Sequence, residues 1–575
     1  MARPPPAFEV VRRDGPARLG RLRLDGTSLP TPGILPVSRT PWMGEFRRRW
    51  QFRGEEAFEA GGLRVSTSPR AEADLYLLPK SRALEGRPRR FMEGVAEFRE
   101  AVGPDGALYL PALATPANAA LLAYAGVDLV DDVQPLLAAR QGLYMTPAGS
   151  RPLGGMEEMP CPCDACRRGE GVRVGDGPLP PPTGPPPAPP SRMDAEALAR
   201  HNTTALEMEL RAARAEIRRG RMRERAEERV RAEAWQVAAL RNFDAQGSYL
   251  ERRSPVSREA RLDANSMESL FRPEVRRFAA RVRERFTPAP GPWVLLPCSA
   301  RKPYSNSQSH RRFRRALEPW RGSLQEVVLT SPLGVVPREL ERTYPAAHYE
   351  TPVTGRWDGE ERLWLQECLR PLLEKHRPPL LFIHIPGTPG EVAREEGRRL
   401  GIETVETAGA DPAGDAALQA LHNAVASAGL PRAPHRLGRH LRAVADFQLG
   451  PGAGELLMKH GKPTMRGARS GPPVAAIRSV ATLTPSGLLA LTLKGARALA
   501  GTRWPGLRVE IDDFLPTGSV LAPGVTRADE ALRPGDEAVF EGPRAFGVGK
   551  AAMAGWEMER ARRGVAIRVR EVEPK

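Results

Sequence analysis

Cysteine, lysine and long apolar runs are all scarce in this chain of 575 residues. Its 5 cysteines are too few for a disulfide framework, which excludes the class of small disulfide-stapled secreted proteins. Apolar residues make up 41% of the chain and mean hydropathy is -0.41, so we expect no membrane-spanning bundle. The first residues lack the apolar core of a secretory signal, and we therefore expect a cytoplasmic protein.

The charge balance is strongly basic. Lys and Arg number 86 against 69 Asp and Glu, giving a net charge of +17 and a pI near 10.2. Only 8 of the 86 are lysine, so a lysine inside a dense motif carries extra weight. A charge of this size and sign favours a nucleic acid partner, and an ordinary basic cytosolic enzyme is the alternative.

Composition divides the chain into several domains. Residues 1 to about 150 alternate short apolar runs with Gly and Pro turns, which is typical of βα units. From about 290 to 430, strand-like runs alternate with helical patterns, which predicts an α/β domain with a mostly parallel sheet. The tail from about 506 is rich in short alternating strands and predicts a small β barrel.

Two unusual segments lie between these domains. Residues 177–190 read GPLPPPTGPPPAPP, a polyproline spacer that cannot pack a core. Residues 194 to about 240 have helical periodicity, with nine arginines between Arg211 and Arg231 interleaved by glutamate, and predict one long basic helix. Its arginines either form Glu–Arg pairs on a solvated face or contact phosphates.

A cluster of cysteines suggests a metal site. Cys161, Cys163 and Cys166 form CPCDAC, and the first histidine downstream is His201. Three thiolates and one imidazole make a closed tetrahedral zinc site, in which no position is left for chemistry. We therefore predict a structural Zn²⁺, with free reduced cysteines as the alternative.

The same segment resembles the tRNA-guanine transglycosylase family, which binds zinc through CxCxxC and a downstream HN, here His201 and Asn202. GVDLVDDVQPLLAARQG, at 126–142, is similar to the segment that carries that family's glycosidic nucleophile, which corresponds to Asp131. A complete eight-unit barrel needs about 250 residues, and only about 130 precede Asp131. We therefore expect a reduced, TIM-barrel-derived domain in which Asp131 is a vestigial nucleophile.

The densest chemistry lies at residues 297–310, PCSARKPYSNSQSH, directly after the apolar run WVLL. This stretch brings together a thiol, an ammonium, a phenol, hydroxyls and an imidazole, at Cys298, Lys302, Tyr304, Ser307 and His310. A loop after a strand places such groups at the sheet edge, where backbone amides can activate a thiol. The alternative is that Cys298 is a small core residue and the loop a phosphate nest.

The pattern PC-x3-KPY-x2-S-x2-H is similar to the hallmark of the archaeosine synthase family, and every fixed position is present here. The resemblance implies an enzyme that acts on tRNA carrying 7-cyano-7-deazaguanine in the D-loop and converts its nitrile toward the formamidine of archaeosine. It implies an amine donor, which is either lysine or glutamine/ammonia. Where lysine is the donor, a radical-SAM lyase acts as partner.

These residues suggest a route. A thiolate of Cys298 would add to the nitrile carbon, and an amine would displace the resulting thioimidate to give an amidine. Lys302 or Tyr304 would protonate or hydrogen-bond the developing imide nitrogen, His310 would shuttle a proton from the amine, and Ser307 would orient one of them. Downstream residues are expected in the substrate pocket: Arg338, Glu339, His348, Tyr349 and Thr354. Cys368, in an amphipathic helical run, is expected in the core.

The tail resembles the PUA domain in GSVLAPGV, LRPGDEAVF, FGVGKAAM and RGVAIRVR, at residues 518–570. The resemblance implies an RNA-binding β pseudobarrel. We expect its cations to contact tRNA, namely Arg533, Lys550, Arg562 and Arg563.

The sequence thus predicts a multidomain α/β protein. Its expected parts are a reduced transglycosylase-like domain at 1–160, a zinc-binding segment with proline-rich insert and basic helix at 161–285, an α/β catalytic domain at 290–430, a small α/β spacer at 436–505 and a PUA domain at 506–575. We expect a homodimer. A transglycosylase acting through Asp131 is the second hypothesis, and a tRNA-holding module without chemistry is the third.

Overall fold

A computed structural model describes residues 7–24, 27–37, 40, 43–46, 48–49, 55–79, 81–84, 86–156, 158–169, 193–434, 437–466, 474–500 and 506–575. The proline-rich insert predicted at 177–190 lies outside these residues. The chain forms two compact units: Met1–Arg253 with Arg560–Gly564, and Ser254–Glu559 with Val565–Lys575. Among the described helices, none combines the length and apolar character needed to cross a bilayer.

The first unit contains a six-stranded sheet. Its order is Gly33–Leu35, Leu129–Asp131, Ala107–Tyr109, Leu75–Leu77, Leu63–Ser66, Ala57–Ala60, with all neighbours parallel except the last pair. The central strands are buried at every position, because hydrophobic clusters cover both faces. The described residues supply five parallel strands, fewer than the eight of a complete barrel.

The remaining elements of this unit surround that sheet. An antiparallel sheet is formed by Phe8–Asp14, Ala17–Leu24 and Thr27–Thr31, and a hairpin by Leu143–Thr146 and Gly149–Pro152. The helices are Met43–Phe46, Pro88–Ala101, Ala119–Tyr124, Val133–Arg140, Asp164–Gly169, Ala195–Arg219, Met222–Arg229, Ala234–Asp244 and Gly247–Arg253.

The prediction of one long basic helix was wrong. The helix Ala195–Arg219 ends at Gly220, whose φ of 71° is the left-handed conformation that glycine adopts most readily. Several of the arginines form internal ion pairs instead of an open cationic face. Arg223, only 4% exposed, binds both Glu227 and Asp244, and Arg225 pairs with Glu209 at 2.6 Å.

The second unit is centred on a five-stranded sheet in the order Gly334–Pro337, Gln325–Thr330, Trp293–Pro297, Leu380–Ile383, Glu403–Glu406. Only the edge strand Gly334–Pro337 is antiparallel. The chain continues from Trp293–Pro297 toward one edge and from Leu380–Ile383 toward the other. The sheet therefore has a topological switch point between these two strands, where a crevice forms beyond their carboxyl ends.

This unit begins earlier than the boundary expected near residue 285. The strand Leu262–Asp263 pairs in parallel with Tyr349–Glu350, and the helix Pro273–Arg285 buries Val275, Phe278 and Val282. These contacts place residues 254–285 in the second unit and not with the metal cluster of the first.

Two further sheets complete the second unit. Pro463–Arg466, Val474–Ile477, Ala481–Leu483 and Leu489–Leu491 form an antiparallel sheet within the predicted spacer. The last sheet has the order Ser519–Leu521, Val565–Pro574, Ala545–Ala551, Glu537–Glu541, Arg508–Ile511, Val525–Ala528, where the β-rich tail was predicted. The remaining helices are Gln308–Leu317, Gly359–His376, Gly387–Arg399, Asp415–Ser427, Leu437–Leu449, Ala453–His460, Leu493–Ala500 and Gly555–Met558.

Candidate functional site

The four residues predicted to bind metal come together in the first unit. One ligand atom from each of Cys161, Cys163, Cys166 and His201 lies within 4.8 Å of the others. His201 Nδ1 is 3.3 Å from Cys166 Sγ and 3.6 Å from Cys163 Sγ. The short helix Asp164–Gly169 brings the last thiol inward, and this group could hold a metal ion.

The surrounding residues orient the histidine. His201 Nε2 donates to the carbonyl oxygen of Met145 at 3.0 Å, which leaves the lone pair of Nδ1 directed at the thiols. The ring of Tyr144 stacks on it at 3.8 Å. Asn202 accepts from Met145 N and donates to the carbonyl of Leu143, so the HN dipeptide holds the hairpin to the helix.

Asp131 is enclosed. Its carboxylate accepts from Tyr109 Oη at 2.7 Å, from Ala112 N at 2.8 Å and from Val133 N at 3.1 Å, and the residue is 1% exposed. Burial raises the pKa of Asp131 despite these hydrogen bonds. Its oxygens are committed to the fold of the turn that follows the strand.

Cys298 and Lys302 lie at the switch point of the second unit. Cys298 directly follows the strand Trp293–Pro297 and is half-buried. Lys302 Nζ sits 4.0 Å from the centroid of the Tyr349 ring, and burial lowers the pKa of Lys302, while Glu350 and then the Cys298 sulfur oppose that shift. The thiol therefore lies close enough to the ammonium to interact with it electrostatically.

Tyr304 holds the ring of Tyr349, which in turn contacts Lys302. It is fully buried, and its Oη lies 2.9 Å from Tyr349 Oη, which in turn lies 2.8 Å from Thr330 Oγ1. Burial raises the pKa of Tyr304 well above its ordinary value. The phenol is thus a neutral hydrogen-bonding group that fixes the Tyr349 ring on which Lys302 rests.

His310 uses both ring nitrogens inside the protein. Nε2 donates to the carbonyl oxygen of Pro297 at 2.9 Å, and Nδ1 accepts from Arg338 at 2.8 Å. Burial, with Arg338 adding to it, lowers the pKa of His310 to about 3. These contacts do not favour the proton shuttle predicted for His310, because both ring nitrogens are already hydrogen-bonded within the protein.

Arg338 links the loop to two buried glutamates. It donates to Glu326 at 2.9 Å and to Glu341 at 2.8 Å, and Glu341 also accepts from the backbone of Ser305 at 3.0 Å. The loop 297–310 is therefore anchored at Pro297, Ser305 and His310 by one ionic network. Sequence reasoning placed Arg338 in a substrate pocket and missed both glutamates, because nothing in their local spacing indicates the contact.

The other predicted residues have varied surroundings. Ser307 caps the helix Gln308–Leu317 by accepting from His310 N at 3.2 Å. Glu339, 1% exposed, pairs with Arg439 at 2.7 Å. His348 donates to the carbonyl of Pro485, Thr354 is exposed, and Cys368 is buried as expected. Of the predicted RNA-binding cations, Lys550 and Arg562 are exposed and Arg533 and Arg563 are half-buried.

Comparison with known proteins covers almost the whole chain. Residues 275–425 match a family described as a domain of unknown function (DUF5591), and residues 510–572 match the PUA domain family. The chain is 39% identical to archaeosine synthase subunit alpha of Methanosarcina acetivorans, over 94% of this chain and 86% of that protein. It is 37% identical to archaeosine synthase of Haloferax volcanii, over 98% and 99%.

The chain is also similar, at lower identity, to transglycosylases, the class of enzyme named in the second hypothesis. The chain is 27% identical to the tRNA-guanine(15) transglycosylase of Methanothermobacter thermautotrophicus, over 84% of this chain and 69% of that protein.

The fold and the matches define a multidomain α/β protein with a PUA domain near its carboxyl end. The expected β-rich tail is therefore confirmed. The extent and identity of the two nearly full-length matches go further: the chain belongs to the archaeosine synthase family. This confirms the family predicted from the PC-x3-KPY-x2-S-x2-H pattern.

Proposed function

We propose that this chain adds an amine to the nitrile of 7-cyano-7-deazaguanine in tRNA, on the way to archaeosine. The observation that carries this proposal is a difference in accessibility among the side chains of residues 297–310. Tyr304 and His310 are buried and committed to internal hydrogen bonds, while Cys298 and Lys302 stay partly accessible at the switch point. A crevice at such a point is where open α/β sheets bind their ligands.

The proposed reaction needs no redox partner. The Cys298 thiolate attacks the nitrile carbon, a C–S bond forms, and the nitrogen takes up a proton to give a thioimidate. The amine donor then adds to the same carbon, loses a proton, and the C–S bond breaks to release the amidine and the thiolate. The C–S bond formed in the first step is broken in the second, so the Cys298 thiolate is regenerated at the end of the cycle.

Lys302 is the proposed proton donor to the imide nitrogen. Its ammonium interacts electrostatically with the Cys298 sulfur, so it is placed to neutralise the charge that develops during attack on the nitrile. Burial lowers the pKa of Lys302 toward neutral pH, and this makes its ammonium a better acid. Tyr304 and Ser307 act through position, the first beneath Tyr349 and the second as a helix cap.

For the metal cluster we propose a structural Zn²⁺. Three sulfurs and one imidazole nitrogen are the donor set that zinc favours in closed tetrahedral sites. When bound, the ion would crosslink residues 161–166 to the helix Ala195–Arg219. His201 is already oriented for this through its hydrogen bond to Met145.

Base exchange through Asp131 is the weaker hypothesis. Three donors already occupy its oxygens, and attack on a glycosidic carbon would require breaking them. Incubation with labelled free 7-cyano-7-deazaguanine and unmodified tRNA tests it. We expect no label in tRNA, and incorporation that disappears in Asp131→Asn would establish a transglycosylase.

The decisive experiment uses tRNA that already carries the nitrile. Without donor, we expect wild-type protein to form a covalent protein–tRNA complex, detected by intact mass, whereas Cys298→Ala forms none. Adding lysine, glutamine or ammonium separately should release one modified nucleoside, whose mass identifies the donor. Undiminished turnover by Cys298→Ala would eliminate the covalent route.

A further inference from the structure

A large cavity lies beside the motif loop in the second unit. Its volume is about 1010 Å³, and its walls include Pro303, Ser305 and Asn306 of the loop together with Thr484 and Pro485. Neither Cys298 nor Lys302 lines it. The cavity is therefore distinct from the thiol–ammonium pair, although the same loop borders both.

The backbone shows how close the two places are. His348 lines the cavity, while the next residue, Tyr349, carries Lys302 on its ring. Likewise Pro303 lines the cavity and directly follows Lys302. If a polymeric substrate places its reacting group at Cys298, the parts of the polymer next to that group lie beside this cavity.

The charge of the cavity wall is positive. Its arginines are Arg314, Arg321, Arg338 and Arg342, and its carboxylates are Glu326 and Glu341. Arg321 and Arg338 are neutralised by the two glutamates. Arg314 and Arg342 are exposed and have no carboxylate partner among the residues that the structure describes, so two positive charges face the cavity unbalanced.

We propose that this cavity binds the ribose-phosphate backbone of nucleotides next to the target base, with Arg314 and Arg342 contacting phosphates. The inference rests on the proposed function, because it takes tRNA as the substrate. A free amine donor fits less well for two reasons. The cavity is far larger than an amino acid, and both of its carboxylates are already paired, so none remains for an ammonium group.

The test compares the two cavity arginines with an arginine that lies outside the cavity. Arg314→Gln and Arg342→Gln, singly and together, are assayed for binding of unmodified tRNA over a range of KCl concentrations. Arg315→Gln is the matched control, since Arg315 is exposed on the same helix as Arg314 but does not line the cavity. Unmodified tRNA undergoes no reaction at the nitrile, so the result does not depend on the chemistry at Cys298.

We expect each cavity variant to weaken binding about 10-fold and to reduce the slope of log K against log salt by about 0.7 to 0.9, the value for one phosphate contact. The control should match wild type. Unchanged slopes, or an equal loss in Arg315→Gln, would overturn the proposal. So would a raised KM for the amine donor with unchanged tRNA affinity, which would assign the cavity to the donor.

Discussion

The two units each contain a candidate site built from cysteine and histidine, and they use the histidine in opposite ways. In the first unit, His201 Nδ1 and three sulfurs converge within 4.8 Å of one another. In the second, both ring nitrogens of His310 are hydrogen-bonded to Pro297 and Arg338, so neither is directed at Cys298.

The difference shows that residue types alone do not separate a closed site from an open one. A closed cluster satisfies all its donors internally, so its removal damages stability. An open site commits its supporting groups and leaves the reacting ones accessible, so its removal damages chemistry. The direction in which each histidine points decides between these outcomes.

The largest effect that would test this difference between the two sites is expected for Cys298→Ala. We expect turnover of nitrile-bearing tRNA to fall by at least about 1,000-fold, because a nucleophile cannot be replaced by position alone. Single-turnover assays with nucleoside mass analysis would measure this. The unfolding midpoint and tRNA affinity should stay at wild-type values, and a large loss of either would mean that Cys298 is structural.

Cys166→Ala should show the reverse behaviour. We expect loss of bound metal and destabilisation of the first unit by at least about 5 kcal/mol, since structural zinc supplies about 10–16 kcal/mol to small peptides. Metal analysis and urea unfolding would measure both quantities. Retention of metal with an unchanged unfolding curve would contradict the closed-site assignment.

Arg338→Met tests the network behind the open site. Glu341 would lose its arginine partner and Glu326 would lose one of its two, while they are 5% and 3% exposed, which should cost about 3–5 kcal/mol of stability. Denaturant unfolding measures the loss. Arg338→Lys restores the charge but not the planar fork, so we expect only partial recovery. Full stability in Arg338→Met would show that the network does not hold the loop.

The smallest effect concerns His310 and pH. Its folded-state pKa of about 3 lies below the ordinary 6.5, so between these values the unfolded chain takes up a proton that the folded chain refuses. Stability from this residue is therefore complete above pH 6.5 and falls by about 1.4 kcal/mol for each unit of pH below it. Unfolding of wild type and His310→Gln, compared between about pH 7 and about pH 4, should show this slope only in wild type.

The same variant separates position from proton transfer. Glutamine can accept from Arg338 and donate to Pro297, so we expect His310→Gln to retain turnover within about 10-fold. A loss of about 100-fold or more, the size expected for a general acid or base, would restore the shuttle role.

Much of the candidate site could be predicted because its signals are local. The CPCDAC and HN segments and the stretch 297–310 each carry their groups within a few residues, and the strand Trp293–Pro297 follows from an unbroken apolar run. The break at Gly220 was missed because the arginine-rich periodicity continues across it, and periodicity does not show how glycine will cap a helix.

What the sequence determined by itself is therefore the inventory: which groups occur, in which order, and after which strand. Only the tertiary structure decided their roles. The partners that consume His310 lie 13 and 28 residues away, and Glu326 and Glu341 reach the loop through Arg338 from other elements. Such contacts depend on how strands and helices pack, and the free energy of burying a charge or an imidazole depends on those distant partners more than on neighbours in the chain.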